Sequence, residues 1–198
     1  MAVFVLANRG ISEPTVESAV SRYAKELRAI GTEVPIQANS EPNWIQLALD
    51  RLAAVKANAQ TVESIARDLE HQLATRLSGC AYAKAAGDAI GKELAPARGA
   101  TMKALDGLLS GTNDRLRSRN TENSAHGWVG WRGSREEEIS GLVLLAHEIE
   151  MARTGADLAF ARLDSNVAAL NKAALFCQKL AVLSPGNSPH VEIRRAAL

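Results

Sequence analysis

Few residues in this chain have both the type and the spacing for catalysis. The four histidines, His71, His126, His147 and His190, are scattered, and no G-x-S-x-G elbow is present to hold a serine nucleophile against a base. His147-Glu148 lacks the second histidine that completes a metalloprotease helix. Glu148, Glu150 and Asp157 fall on different faces of one expected helix, without the Glu-x-x-His pairs of a bundle metal site, and read as a solvated charged face. The regular glycines of Gly127-Trp128-Val129-Gly130-Trp131-Arg132-Gly133 follow no strand, so the backbone there is not placed to cradle a dinucleotide phosphate. The sequence therefore predicts a protein that is not an enzyme, with no catalytic residue, no metal ligand and no cofactor.

Chemistry of another kind is concentrated in Asn113-Asp114-Arg115-Leu116-Arg117-Ser118-Arg119-Asn120, with Arg132 and Arg135 further on. Between Asp114 and Arg135 five arginines stand against Asp114 and Glu122, a local surplus of three in a chain whose formal net charge is +1. A guanidinium matches phosphate oxygens with paired hydrogen bonds, and alternate arginines at a helix end present these groups to more than one side. Trp128 and Trp131 offer ring faces for stacking on bases. Asn113, Arg115, Arg117, Arg119, Arg132 and Arg135 are thus candidate contacts to a backbone of phosphates. The same residues also have a purely structural reading, in which arginines complement the dipole of a helix C-terminus and the tryptophans close a loop onto the core.

These groups must be positioned by helices. Ser12-Glu13-Pro14 and Ser40-Glu41-Pro42 are both helix starts, each with a capping serine and a proline tolerated in the first turn. After the first, Val16, Ala19, Val20, Tyr23, Leu27 and Ile30 recur at helical spacing up to Gly31. After the second, Trp44, Ala48, Leu52, Val55, Ala59, Val62, Ala66, Leu69, Leu73 and Leu77 predict a helix about 50 Å long. Gly79, Gly87, Gly91 and Pro96 are expected to break up the alanine-rich stretch that follows, leaving a third helix around Met102, Leu105, Leu108, Leu109 and Leu116. Residues 118–134 have no helical period and read as a long loop. Ser134, with Glu136, Glu137 and Glu138 behind it, then starts the last helix as a capping box. Its seam runs Ile139, Leu142, Ala146, Ile149, Ala152, Ala156, Ala159, Leu163, Val167, Leu170, Ala174, Cys177 and Ala181, with Thr154-Gly155 as the place for a break.

With 46% hydrophobic residues the chain can bury a core in one domain, and 4% aromatics favours aliphatic helix packing over a β-sandwich. No apolar run reaches the length of a membrane span, and Met1–Leu6 is too short for a secretory signal, so the expected setting is cytosolic, with no membrane partner. Cys80 and Cys177 lie far apart with no metal-site spacing and read as small buried apolar residues, not as a disulfide. The expected fold is all-α, an elongated up-and-down bundle with a four-helix core, an extra N-terminal helix and a long arginine/tryptophan loop. Residues 1–39 form an arm, 40–183 the bundle and 184–198 an extended tail.

The order of these pieces resembles the coat proteins of rod-shaped, single-stranded RNA plant viruses, of the tobacco mosaic type and its furovirus, pecluvirus and benyvirus-like relatives. The likeness covers Trp44 to Asp164. Trp44-Ile45-Gln46-Leu47 opens the first long helix, and Leu108-Leu109-Ser110-Gly111-Thr112-Asn113-Asp114-Arg115-Leu116-Arg117 is similar to the family's helix ending in Asp followed by alternating Arg. Arg135-Glu136-Glu137 resembles the start of the family's next helix, and Arg153-Thr154-Gly155 with Arg162-Leu163-Asp164 its outer turn, with Leu163-Asp164 standing where the family has Phe-Glu. The resemblance implies a capsid subunit found in the virion and the host cytoplasm. It would polymerise helically with copies of itself around single-stranded RNA, with Glu136, Glu137 and Glu138 facing carboxylates of neighbouring subunits. The alternative reading is a non-enzymatic helical interaction module, such as a bacterial effector, chaperone or adaptor, that docks another protein's helices.

Overall fold

The three-and-four spacing becomes the buried seam of four helices, α1 (Glu13–Gly31), α2 (Trp44–Thr75), α3 (Cys80–Ala125) and α4 (Arg132–Leu183). The computed structural model describes residues 13–32, 43–75, 80–125 and 132–183, and side chains within 18–32, 43–73, 82–121 and 136–179. The expected tail and the Met1–Leu6 stretch lie outside the described residues. The fold is an all-α helical bundle, with no strand among the described residues, and the N-terminal helix is one of its four members.

Two apolar clusters stack along the bundle. In the first, Val20, Tyr23, Leu27 and Ile30 of α1 meet Val62, Ile65 and Leu69 of α2, Ile90 and Leu94 of α3, and Phe160, Leu163 and Leu170 of α4. The helix of the expected arm therefore shares a core with the other three. The second cluster has three helices, with Trp44, Leu52 and Val55 packed on Leu105, Leu108, Leu142, Leu145 and Ile149. Met102 touches both clusters and joins them.

The expected interruptions do not occur in two places. α3 runs unbroken for 46 residues through Gly87, Gly91 and Pro96, and α4 for 52 residues through Thr154 and Gly155, where the coat-protein likeness implied a turn. The glycines of α3 mark close approach. A Cβ added at Gly91 would lie 3.3 Å from Cγ1 of Val167, and one at Gly87 would lie 2.3 Å from Oδ1 of Asn171. An interior proline costs a helix about 3 kcal/mol. Here it sits where α1 ends on α3, with Gly31 so close that a Cβ there would be 3.3 Å from Cβ of Pro96. Packing of the adjacent Leu94 and Ala97, both buried, offsets the lost hydrogen bond. Helix also persists to Ala125 and resumes at Arg132, so the expected loop 118–134 shrinks at both ends.

Polar contacts fix the register between helices. Arg162 of α4 reaches Glu63 (2.6 Å) and Glu70 (2.5 Å) of α2, and Lys56 of α2 reaches Glu148 (2.5 Å) of α4. Arg98 and Asp106 of α3 pair with Asp157 (3.0 Å) and Arg153 (2.8 Å) of α4. Arg28 of α1 holds Glu93 of α3 at 2.6 Å, and Glu93 is only 7% exposed. Arg28 donates to that carboxylate and holds it below its usual range, as Arg162 does for Glu70 and Lys56 for Glu148. Inside the seam, Asn166 donates to the Ala66 carbonyl at 2.9 Å. Exposed pairs of this kind add little stability singly, so their role is alignment.

The reading of both cysteines as unpaired is corrected. Cys177, buried in the first cluster, is disulfide-bonded, and Cys80 is the chain's one other cysteine. Sequence separation hid this, because α3 and α4 pack side by side over much of their length and bring distant positions level. Disulfides persist mainly where the surroundings are oxidising, which sits apart from the expected cytosolic setting.

Candidate nucleic-acid interface

The arginine cluster lies where the C-terminal part of α3 passes the first turns of α2 and α4. Trp44 begins α2 with its indole buried, and its Nε1 donates to Thr112 Oγ1 at 3.2 Å. Thr112 is fully buried and donates its own hydroxyl proton to the Leu108 carbonyl at 2.8 Å. A hydroxyl has one proton, so toward the indole it can only accept, and the two bonds are mutually consistent.

Helical geometry divides the alternating arginines. Successive residues turn by about 100°, so Arg115 and Arg119 share a face while Arg117 points to nearly the opposite side. Arg115 lies over the Trp44 ring, 5.2 Å from its centroid, a cation–π contact. Arg119 Nε donates to Glu138 Oε1 at 3.1 Å, joining α3 to the start of α4. Arg117 is 82% exposed, with a loose 3.7 Å approach to Asp114. Asn113 is half-buried beside it. An open cleft of about 370 Å³ runs along this edge, lined by Asn43, Trp44, Gln46, Arg115, Glu138 and Leu142.

The structure thus brings Arg115, Arg119 and Glu138 together beside Trp44, and because α3 runs on to Ala125 with no basic residue in its last turn, these arginines do not serve its C-terminal dipole as the structural reading had it. Trp128 and Trp131 lie outside the described residues. Arg132 and Arg135 have their backbone in the first turn of α4, and their side chains lie outside the described residues. Glu136 and Glu137 are exposed, whereas Glu138, expected to face neighbouring subunits, is engaged by Arg119. The Trp44–Arg115 contact had no local signal in sequence, because the two residues belong to different helices.

A second open cleft, about 440 Å³, lies between α1 and α2 and is lined by Arg22, Tyr23, Glu26, Thr61, Ser64 and Asp68. Tyr23 donates to Asp68 Oδ2 at 3.0 Å. Burial first, and then that carboxylate, raise the phenol pKa, so Tyr23 stays neutral and keeps its hydrogen bond to Asp68. Among the described residues no three of His, Cys, Asp and Glu gather as a metal site would require, and no helix is long and apolar enough to cross a membrane. Comparison with protein-family models, with curated proteins and with solved structures gives no match.

Proposed function

We propose that this chain is a structural, non-enzymatic protein that works by association through the outer faces of its long helices, with further copies of itself as partner. The observation that carries this reading is a second apolar face on α4. Leu144, Met151 and Leu158 are 66%, 59% and 68% exposed, on the side of the helix opposite the buried Ile149, Ala156 and Leu163. Scattered apolar residues are normal on a protein surface, but a contiguous stripe of large ones marks a contact. The formal net charge of +1 suits a molecule that packs closely with its own kind, since like copies repel little.

A finer reading, a coat subunit on single-stranded RNA, is favoured by the 82% exposure of Arg117 in the C-terminal part of α3. In that reading Asn113 and Arg117 meet phosphates, with Arg115 over Trp44 beside them, and Arg132, Arg135, Trp128 and Trp131 continue the contact. Each copy then holds RNA weakly, and many linked copies hold it strongly. The test is purification with and without nuclease, followed by the ratio of absorbance at nucleic-acid and protein wavelengths and by negative-stain microscopy. RNA-bearing rods that vanish in Arg117→Ala, with helicity intact, support the coat reading. RNA-free association leaves only the broader one standing, and a monomer without RNA at every concentration refutes both.

A further inference from the structure

The exposed stripe of α4 is longer than its three central residues and is patterned. Val143 and Leu144 stand at one end, 54% and 66% exposed, and Leu175 and Phe176 at the other, 59% and 42% exposed. Between them come Met151 and Leu158, the small exposed residues Ala161, Ser165 and Ala168, and three exposed polar residues, His147, Thr154 and Lys172. Leu144, Met151 and Leu158 advance by sevens, as do the buried Ile149, Ala156, Leu163, Leu170 and Cys177 on the opposite side. A seven-residue apolar repeat is the pattern by which helices pack along their length.

The pattern is also symmetric. About the point midway between Ala159 and Phe160, Val143 and Phe176 are equidistant, and so are Leu144 and Leu175, Met151 and Ala168, and Leu158 and Ala161. We infer that a second copy of this chain covers the stripe, its α4 running antiparallel across a two-fold axis at that point. Val143 then meets Phe176 of the other copy and Leu144 meets Leu175, closing both ends. Met151 and Leu158 fall opposite Ala168 and Ala161, so large side chains enter the spaces left by small ones. Gly155, exposed and without a side chain, lies beside them.

The area is of the right size. Taking about 200 Å² for a large apolar side chain in full contact with water, the six residues expose on the order of 700 Å². A stable interface takes about 800 Å² from each partner, and a monomer's largest apolar patch is commonly about 300–600 Å². The border of the stripe argues against a membrane surface. Glu150, Asp157 and Asp164 follow one edge and outnumber Lys172 within the stripe, a poor match for lipid headgroups, which are anionic in many membranes. Across the two-fold, Asp157 comes near Asp164 of the other copy, but Asp157 already has Arg98 at 3.0 Å. What repulsion remains is screened by salt, so the dimer tightens at high ionic strength while any phosphate contact weakens.

This inference rests on the association reading above only in taking a second copy as partner, and RNA has no part in it. It is tested on nuclease-treated full-length protein by light scattering and sedimentation. The expected mass is twice 21.1 kDa, retained in about 1 M salt. Met151→Glu with Leu158→Glu, both at exposed positions, should weaken dimerisation roughly 100-fold or more without changing helicity or melting temperature. Leu144→Cys with Leu175→Cys should cross-link two copies under oxidation, and Leu144→Cys alone should not. A dimer indifferent to the two glutamates overturns the α4 face and leaves self-association standing. Cross-linking by Leu144→Cys alone overturns the antiparallel register. A wild-type monomer that binds anionic vesicles or nothing overturns the second copy as occupant.

Discussion

Replacing Thr112 by valine keeps the shape of a fully buried side chain and removes the acceptor on which the Trp44 indole depends. The Leu108 carbonyl loses only a second bond, since the helix still supplies its backbone partner. The indole N–H, enclosed at the start of α2, loses its acceptor. Stranding a buried donor costs about 1–3 kcal/mol. For a chain of this length each kcal/mol moves the melting temperature by about 2–4 °C, so Thr112→Val should melt roughly 3–10 °C lower. Trp44→Phe provides the control, because it removes the donor. In that background the same valine should cost far less, and the two substitutions should couple by about 1 kcal/mol or more. Thermal and urea unfolding of the four proteins gives the cycle. Equal costs of Thr112→Val in both backgrounds would refute the argument that the hydroxyl serves the indole.

Reducing the disulfide of Cys177 should destabilise the protein markedly. If Cys80 is its partner within the chain, positions 80 and 177 are 97 apart, and closing a loop near a hundred residues stabilises by up to about 4.7 kcal/mol. Melting curves with and without reductant measure this, and two free thiols in the denatured, unreduced chain would contradict it. Acid should also loosen the bundle. Glu93, Glu70 and Glu148 have folded pKa values below their unfolded ones, so their stabilisation is complete above the ordinary glutamate value of about 4.3. It is then lost as pH falls through the lowered folded values, and Glu93→Gln should flatten the acid limb of a melting-temperature profile. Gly91→Ala should change stability by less than about 1 kcal/mol, the helix preference for alanine working against a 3.3 Å approach to Val167, whereas Gly91→Leu should cost about 1–3 kcal/mol.

The residue pattern alone was enough to settle the class of the fold and most of the core. Trp44, Ala48, Leu52, Val55, Val62, Ala66 and Leu69 are buried as their spacing required, and so are Leu142, Ile149, Ala156, Leu163, Leu170 and Cys177. Apolar periodicity is a local property, and a helix obeys it wherever it lies. Breaks were misjudged for the same reason. Gly87, Gly91 and Pro96 disfavour helix locally, and only the closeness of α1 and α4 makes small residues useful inside α3. The arginines were legible as a cluster but not in their roles. Which guanidinium meets Trp44, which meets Glu138 and which reaches water depends on three helices converging, and so does the pairing of a cysteine. Packing between helices also selected which apolar residues of α4 stay uncovered, because a helix with two apolar faces does not by itself say which one its own chain will bury.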